Sequence, residues 1–392
     1  MERIYLDHHT TTRPLPEVVE SMAPYWRDSF ASPSGIHVES KRVRDAIEKA
    51  RNQVLSLLGV TETGGQIIFT GNGTEAVNLA VLGHARANRR FGTHILCSAI
   101  EHPAVLNAVV ALEREGFSNG TIPVDAAGHL KFDTIGDLLT SDTILLCCHL
   151  ANSDIGIIQS LARIGELTRS HGIALFVDAT SAAGWTEVAV DAICADLMAI
   201  SPHRFGGPKG VGCLFKRQPI VIDPLTYGGE QERGLRAGME NVPAIVGAGT
   251  VAEMAQRQLR QNRLVLGTLQ KRLLDGLLDA VPRIRLNGPA LGQDRLCHQL
   301  SLTIDCVEAE GLVLFADMRG LVIAMGGGCL SRALETHHVL TAVGLSQLQA
   351  KQTISLGIGL ETTKADVDAA TEILKAGVER LRSMSPSWSD EI

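Results

Sequence analysis

A chain of 392 residues, 45% hydrophobic and 20% charged, has room for a main domain with a smaller companion and is too apolar for a disordered polymer. Its net charge of −7 excludes the basic face that nucleic acid or an anionic membrane surface requires, so small molecules and proteins are the expected partners. The eight cysteines are irregularly spaced, and neither a signal peptide nor a membrane-spanning apolar run is present, which points to free thiols and a cytoplasmic protein.

From about Gln66 to Phe215 short apolar runs alternate with helical patterns, as expected of a parallel sheet covered by helices. Strands are predicted at 67–70, 94–98, 143–150, 173–177, 197–200 and 212–215, and helices at 75–87, 104–115 and 162–170. A long charged amphipathic stretch at 251–280 reads as the link to a second, smaller α/β unit, with a strand at 300–304 and a helix at 364–380. The tail from Ser383 is polar and reads as frayed. In open α/β sheets ligands sit beyond the carboxyl ends of the strands, so the chemistry should be sought there.

Four segments fall at such places. Gly71-Asn72-Gly73-Thr74-Glu75 leaves a strand and opens a helix, offering free amides and a hydroxyl to a phosphate, although Thr74 could equally cap its helix. Glu101-His102 follows the strand at 94–98, where an imidazole could stack on a planar ring or move protons, or simply start a helix. Asp178 ends the run Ala174–Val177, where a carboxylate could pair with a protonated ring nitrogen or cap a turn. Ser201–Gly212 is dense in glycine and proline and demands a tightly specified backbone. Further on, Gly326, Gly327 and Gly328 precede Cys329, so the thiol sits in a segment with little capacity to pack; the same residue also reads as an ordinary loop cysteine. Cys147, Cys148 and His149 alternate along a strand, so they cannot converge on one metal ion.

Taken in order, Tyr5-Leu6-Asp7 with Thr11-Thr12, Phe69-Thr70, Thr74-Glu75 with Asn78-Leu79-Ala80, Glu101-His102, Val177-Asp178-Ala179-Thr180, Gly206-Gly207-Pro208-Lys209-Gly210 and Glu232-Arg233-Gly234 with Arg236 resemble the cysteine desulfurases of the class V aminotransferase fold over nearly the whole chain. The resemblance implies a fold type I α/β architecture, with a large, mainly parallel sheet domain at 16–255. A smaller C-terminal α/β domain at 256–392 would carry the Cys329 loop, with the segment 1–15 packed against it. It further implies a homodimer that uses pyridoxal phosphate to take sulfur from L-cysteine and leaves a persulfide on a loop cysteine for an iron–sulfur scaffold or other acceptor protein. By that resemblance the loop cysteine is Cys329, His102 stacks on the cofactor ring, Asp178 holds its nitrogen, and Gly73, Thr74, Asn152, Ser201 and His203 complete the cofactor site.

Arg204 stands where the family has the lysine that binds the cofactor covalently. A guanidinium stays protonated and cannot condense with an aldehyde, so the covalent anchor and its proton shuttle are both lost. Ser181, Ser153, Met239 and Ser355 replace a glutamine, an asparagine, a threonine and a substrate-clamping arginine of the family. The expected cofactor state is therefore non-covalent pyridoxal phosphate or none. Three readings follow: a sulfur carrier or assembly component in which Cys329 holds persulfide or transiently ligates a cluster; a residual desulfurase with non-covalent cofactor; and a non-catalytic structural or regulatory subunit of a dimer.

Overall fold

Runs such as Thr143-Ile144-Leu145-Leu146-Cys147-Cys148-His149, buried at every position, have no solvent face and must lie inside a sheet covered on both sides. The computed structural model, which describes residues 3–60, 64–326, 337–385 and 388, places them there. The strands are β1 (Ile4–Tyr5), β2 (Gly65–Thr70), β3 (His94–Ser98), β4 (Ser118–Ile122), β5 (Thr143–His149), β6 (Ala174–Asp178), β7 (Leu197–Ile200), β8 (Gly212–Arg217), β9 (Ile284–Leu286), β10 (Gln299–Ile304), β11 (Leu321–Val322), β12 (Ala324–Met325) and β13 (Thr353–Gly357). Seven of them form the main sheet in the order β2-β8-β7-β6-β5-β3-β4. Cys147 packs into the core on one face and Cys148 into the core on the other, as the strand period requires.

The expected parallel sheet holds from β4 to β7, but β8 runs antiparallel to both β7 and β2. The reason is the link at 201–211: it contains one short helical turn, Pro202–Arg204, and is too short for the crossover a parallel return needs. It turns the chain back at the carboxyl edge of the sheet instead, with Gly206 and Gly210 in the left-handed region at φ 95° and 85°. Edge strand β4, Ser-Asn-Gly-Thr-Ile, carries no apolar alternation and is invisible to pattern reading.

A smaller sheet in the order β12-β13-β10-β9 is antiparallel throughout, and β1 pairs in parallel with β11. The long helix spans Val242–Ala280 and starts earlier than the stretch read from sequence. The Asn241 side chain caps the Ala244 N–H, and Pro243 sits in the first turn. Its first half lies against helix Val38–Leu57 so closely that a Cβ on Gly249 would come within 2.5 Å of the Ala50 Cα. Farther along, the buried Gln270 amide donates to the carbonyls of Leu296 and Gln299, fastening the same helix to the smaller sheet. The carboxyl ends of β3, β5, β6 and β7 thus gather Glu101-His102, His149, Asp178 and Ser201–Arg204 at one edge.

Candidate functional site

Parallel pairing sets the floor of the site. His149 and Asp178 are register partners on β5 and β6, so their side chains leave the sheet edge side by side. Above them a pocket is lined by His102, Asn152, Asp178 and Arg204, with His9 and Thr10 from the amino-terminal segment and His338 from the helix His338–Ala342 between β12 and β13. Four of the sequence-predicted site residues therefore meet in one cavity.

Each is held differently. His102 caps helix Pro103–Arg114: its Nδ1 accepts the Ala104 N–H at 3.0 Å, which leaves the ring proton of the neutral tautomer on Nε2. Burial pushes its pKa below the ordinary value. Asp178 is buried, and its Oδ1 accepts the Thr180 N–H at 2.8 Å. The Asn152 carboxamide is spent on the backbone, donating to the Ile100 carbonyl and accepting from Asp154 and Ile155 N–H; it pins the wall of the pocket. Arg204 Nη1 donates to the His9 carbonyl at 2.7 Å, and the Arg204 carbonyl accepts the Trp185 indole N–H at 2.9 Å.

Gly73, Thr74, Ser201 and His203 do not line this pocket. Gly73 opens helix Gly73–Asn88 beside it, where a Cβ would meet Ser201 Cβ at 3.0 Å and Thr180 Cγ2 at 3.2 Å, so a larger residue there would crowd both side chains. Thr74 is exposed. The His203 ring turns toward Thr11, with Nδ1 3.0 Å from the hydroxyl, and its carbonyl accepts from Thr12 N–H and Oγ1. Gly73, Thr74 and Ser201 could receive a phosphate; His102 and Asp178 could hold a flat cationic ring. Ser355 is buried on β13 under the Gln299 amide and takes no part in the cavity. Cys329 lies outside the described residues. Among the described residues no group of His, Cys, Asp and Glu is arranged to hold a metal ion.

Sequence reasoning missed two features. One is the pairing of Glu101 with His149: Glu101 is fully enclosed, and its Oε1 takes both the His149 main-chain N–H at 2.8 Å and Nδ1 at 3.0 Å. The other is a set of neutral imidazoles around Arg204. Burial first, then neighbouring basic groups, pushes His8 to about 4, His9 to about 3, His203 to about 4 and His298 to about 3. His298 stacks on Trp185 at 4.3 Å between ring centroids. The adjacent pair His8-His9 was the available sequence signal, but nothing local shows that His298 joins it.

Comparison with known proteins agrees with this architecture. The family model described as aminotransferase class-V matches residues 4–370. The chain is 39% identical over 383 residues to the cysteine desulfurase IscS of Methanosarcina thermophila, covering 98% of this chain and 94% of that protein. It is 40% identical over 385 residues to cysteine desulfurase IscS 1 of Archaeoglobus fulgidus, covering 98% and 99%. A solved NifS-like protein superposes with a TM-score of 0.89 at 29% identity, covering 96% of this chain and all of that one. The sheet order, the pocket at its carboxyl edge and these likenesses over almost the full length place the chain in the aminotransferase class-V family.

Proposed function

We propose that this protein acts in sulfur mobilisation as a desulfurase-like dimer subunit that has given up covalent cofactor catalysis, with Cys329 as the sulfur-carrying thiol. The reading is supported by one observation, that Arg204 lines the pocket and is tied to the His9 carbonyl, joined to the sequence resemblance in which residue 204 takes the place of the family's cofactor lysine. The likeness to proteins named cysteine desulfurase supports the pathway; the chemistry of Arg204 argues against ordinary turnover.

The remaining residues fit the non-covalent part of a pyridoxal phosphate site. Asp178 and His102 would hold the ring, and Gly73, Thr74 and Ser201, which lie beside the pocket, the phosphate, with Gly73 packed closely on Ser201. Bound there, the cofactor would supply an electron sink. Among the described residues that line the pocket there is no lysine amine to anchor it and to move protons at the substrate carbon. His102, neutral and with its Nε2 proton free, is the pocket side chain suited to hold or donate a proton. The domain reading, with residues 256–392 presenting the Cys329 loop to an iron–sulfur scaffold or other acceptor, belongs to the same proposal.

The test is sulfur delivery from a persulfide donor to an iron–sulfur scaffold protein, with wild type and Cys329→Ser. The carrier reading expects delivery by wild type and its loss in the variant. Equal delivery by both would overturn it, and co-purification of an active relative with either protein would then favour a structural subunit.

A further inference from the structure

Two polar atoms on the floor of the pocket have no partner among the described residues. His149 and Glu101 both line the cavity and are almost wholly enclosed, at 3% and 0% exposure. Glu101 Oε1 receives the His149 main-chain N–H and ring Nδ1, which leaves His149 Nε2 and Glu101 Oε2 buried and unbonded. A carboxylate on Nδ1 fixes the ring and leaves the far nitrogen of the imidazole for a bound molecule. The surroundings decide whether that nitrogen carries a proton. Burial disfavours the charged ring, but Glu101, Asp178 on β6 and Asp154 in the loop after β5 outweigh it and raise the His149 pKa. The other imidazoles of the cavity differ: His9 is pushed down to about 3, His102 is lowered by burial, and His338 has its Nε2 2.8 Å from the Glu101 carbonyl. Arg204, from the link after β7, is a further cation of the lining. Among the imidazoles that line the cavity, His149 is thus the one disposed to hold a second proton. Its Nε2–H is then a buried charged donor short of an acceptor, a cost that an acceptor on a ligand removes.

We propose that His149 is the proton-donating residue of the pocket floor: in its protonated form it gives Nε2–H to an anionic oxygen or ring nitrogen of the molecule bound there, and Glu101 is the positioning residue that fixes the ring. In the bound state this is a charge-assisted hydrogen bond. Where negative charge develops on the ligand it becomes a proton transfer. The Nε2–H bond then breaks, its electron pair stays on Nε2, and the proton bonds to the ligand's acceptor atom. The ring is left neutral with its remaining proton on Nδ1, and Glu101 stays a carboxylate. The proposal rests on the reading above only in taking this pocket as the functional one and a pyridoxal-type ring as a molecule it holds.

The test is calorimetric titration of the full-length protein with pyridoxine 5′-phosphate, which has an alcohol in place of the aldehyde and so reports non-covalent contacts alone. Wild type, His149→Asn and Glu101→Gln are compared from about pH 6 to about pH 9. The asparagine keeps a donor for Glu101 and has no Nε2. Titration of the ligand itself is common to all three proteins and cancels in the ratio of their affinities. The expected result is that wild type binds at least about tenfold more tightly than His149→Asn at the acid end, where the ring is protonated. That ratio should fall toward one as pH rises through the His149 midpoint, because the ligand favours the protonated ring. Glu101→Gln should move the fall to lower pH. A merely structural role for His149 would lower affinity by the same factor at every pH. Thermal melts check the variants, and the wild-type profile, corrected for the titration of the free ligand, decides the matter if neither folds. A ratio independent of pH, a ratio near one throughout, or no binding to wild type at millimolar concentration would overturn the proposal. The two readings fail separately: sulfur delivery through Cys329 with a pH-independent ratio sinks this one alone, and the pH-dependent ratio with no Cys329 effect sinks the carrier reading alone.

Discussion

His149 is clamped to Glu101 through a single carboxylate oxygen, which receives both the main-chain N–H at 2.8 Å and the ring Nδ1 at 3.0 Å, and neither residue reaches solvent. Burial by itself disfavours the imidazolium, but the Glu101 charge, aided by Asp178 and Asp154, outweighs it and raises the His149 pKa above its ordinary value. A group whose folded pKa is raised contributes stability fully below the unfolded value near 6.5, and that contribution is lost as pH rises through the folded value. Glu101→Gln should therefore destabilise the fold by about 3–5 kcal/mol at pH 6 and by clearly less at pH 9. Urea unfolding at the two pH values checks this; an equal cost at both would mean that the pair is not ionic.

The imidazoles around Arg204 give the opposite dependence. His9 and His298 are neutral in the fold, pushed to about 3 chiefly by burial, with the neighbouring imidazoles and Arg204 adding to it. The unfolded chain takes up their protons first, so stability is lost as pH falls from 6.5 toward 3. Each should remove on the order of 1–2 kcal/mol between pH 7 and pH 5. His298→Asn should flatten that part of the profile, measured by denaturant unfolding across the range; an unaltered slope would contradict the assignment.

Glu232 holds the segment that carries Arg236. Its carboxylate receives Arg51 at 2.8 and 3.0 Å and the Phe69 N–H at 3.0 Å, from a backbone in the left-handed region at φ 47°. Both side chains of the pair are largely enclosed. Glu232→Gln should cost about 3 kcal/mol and loosen the Arg236 to Glu75 contact of 2.9 Å beside Gly71. Faster amide exchange at Gly71 would report the loosening, and unaltered exchange with full stability would refute it.

The main sheet was legible because its strands are apolar runs punctuated by glycine, and β3 and β7 begin and end where the pattern places them. The reversal at β8 was not, since strand direction depends on the length of the link at 201–211 and its turn chemistry, which pattern reading does not weigh. Helix Val38–Leu57 has a polar majority, and its buried positions Val43, Ile47, Ala50 and Val54 become evident only against the long helix. In the site, His102 and Asp178 were legible from their places at strand ends, whereas Arg204 was picked out only by the family resemblance. His298 was not, because it lies in the turn before β10 and meets Trp185 only through tertiary packing.

The most direct test of the account is borohydride reduction after incubation with pyridoxal phosphate, followed by mass analysis of the peptide that contains residue 204, in wild type and Arg204→Lys. The account expects no cofactor mass on the wild-type peptide, no cofactor-dependent sulfide release from L-cysteine, and a labelled peptide in Arg204→Lys. A cofactor adduct on the wild-type pocket peptide together with cofactor-dependent sulfide release would contradict it.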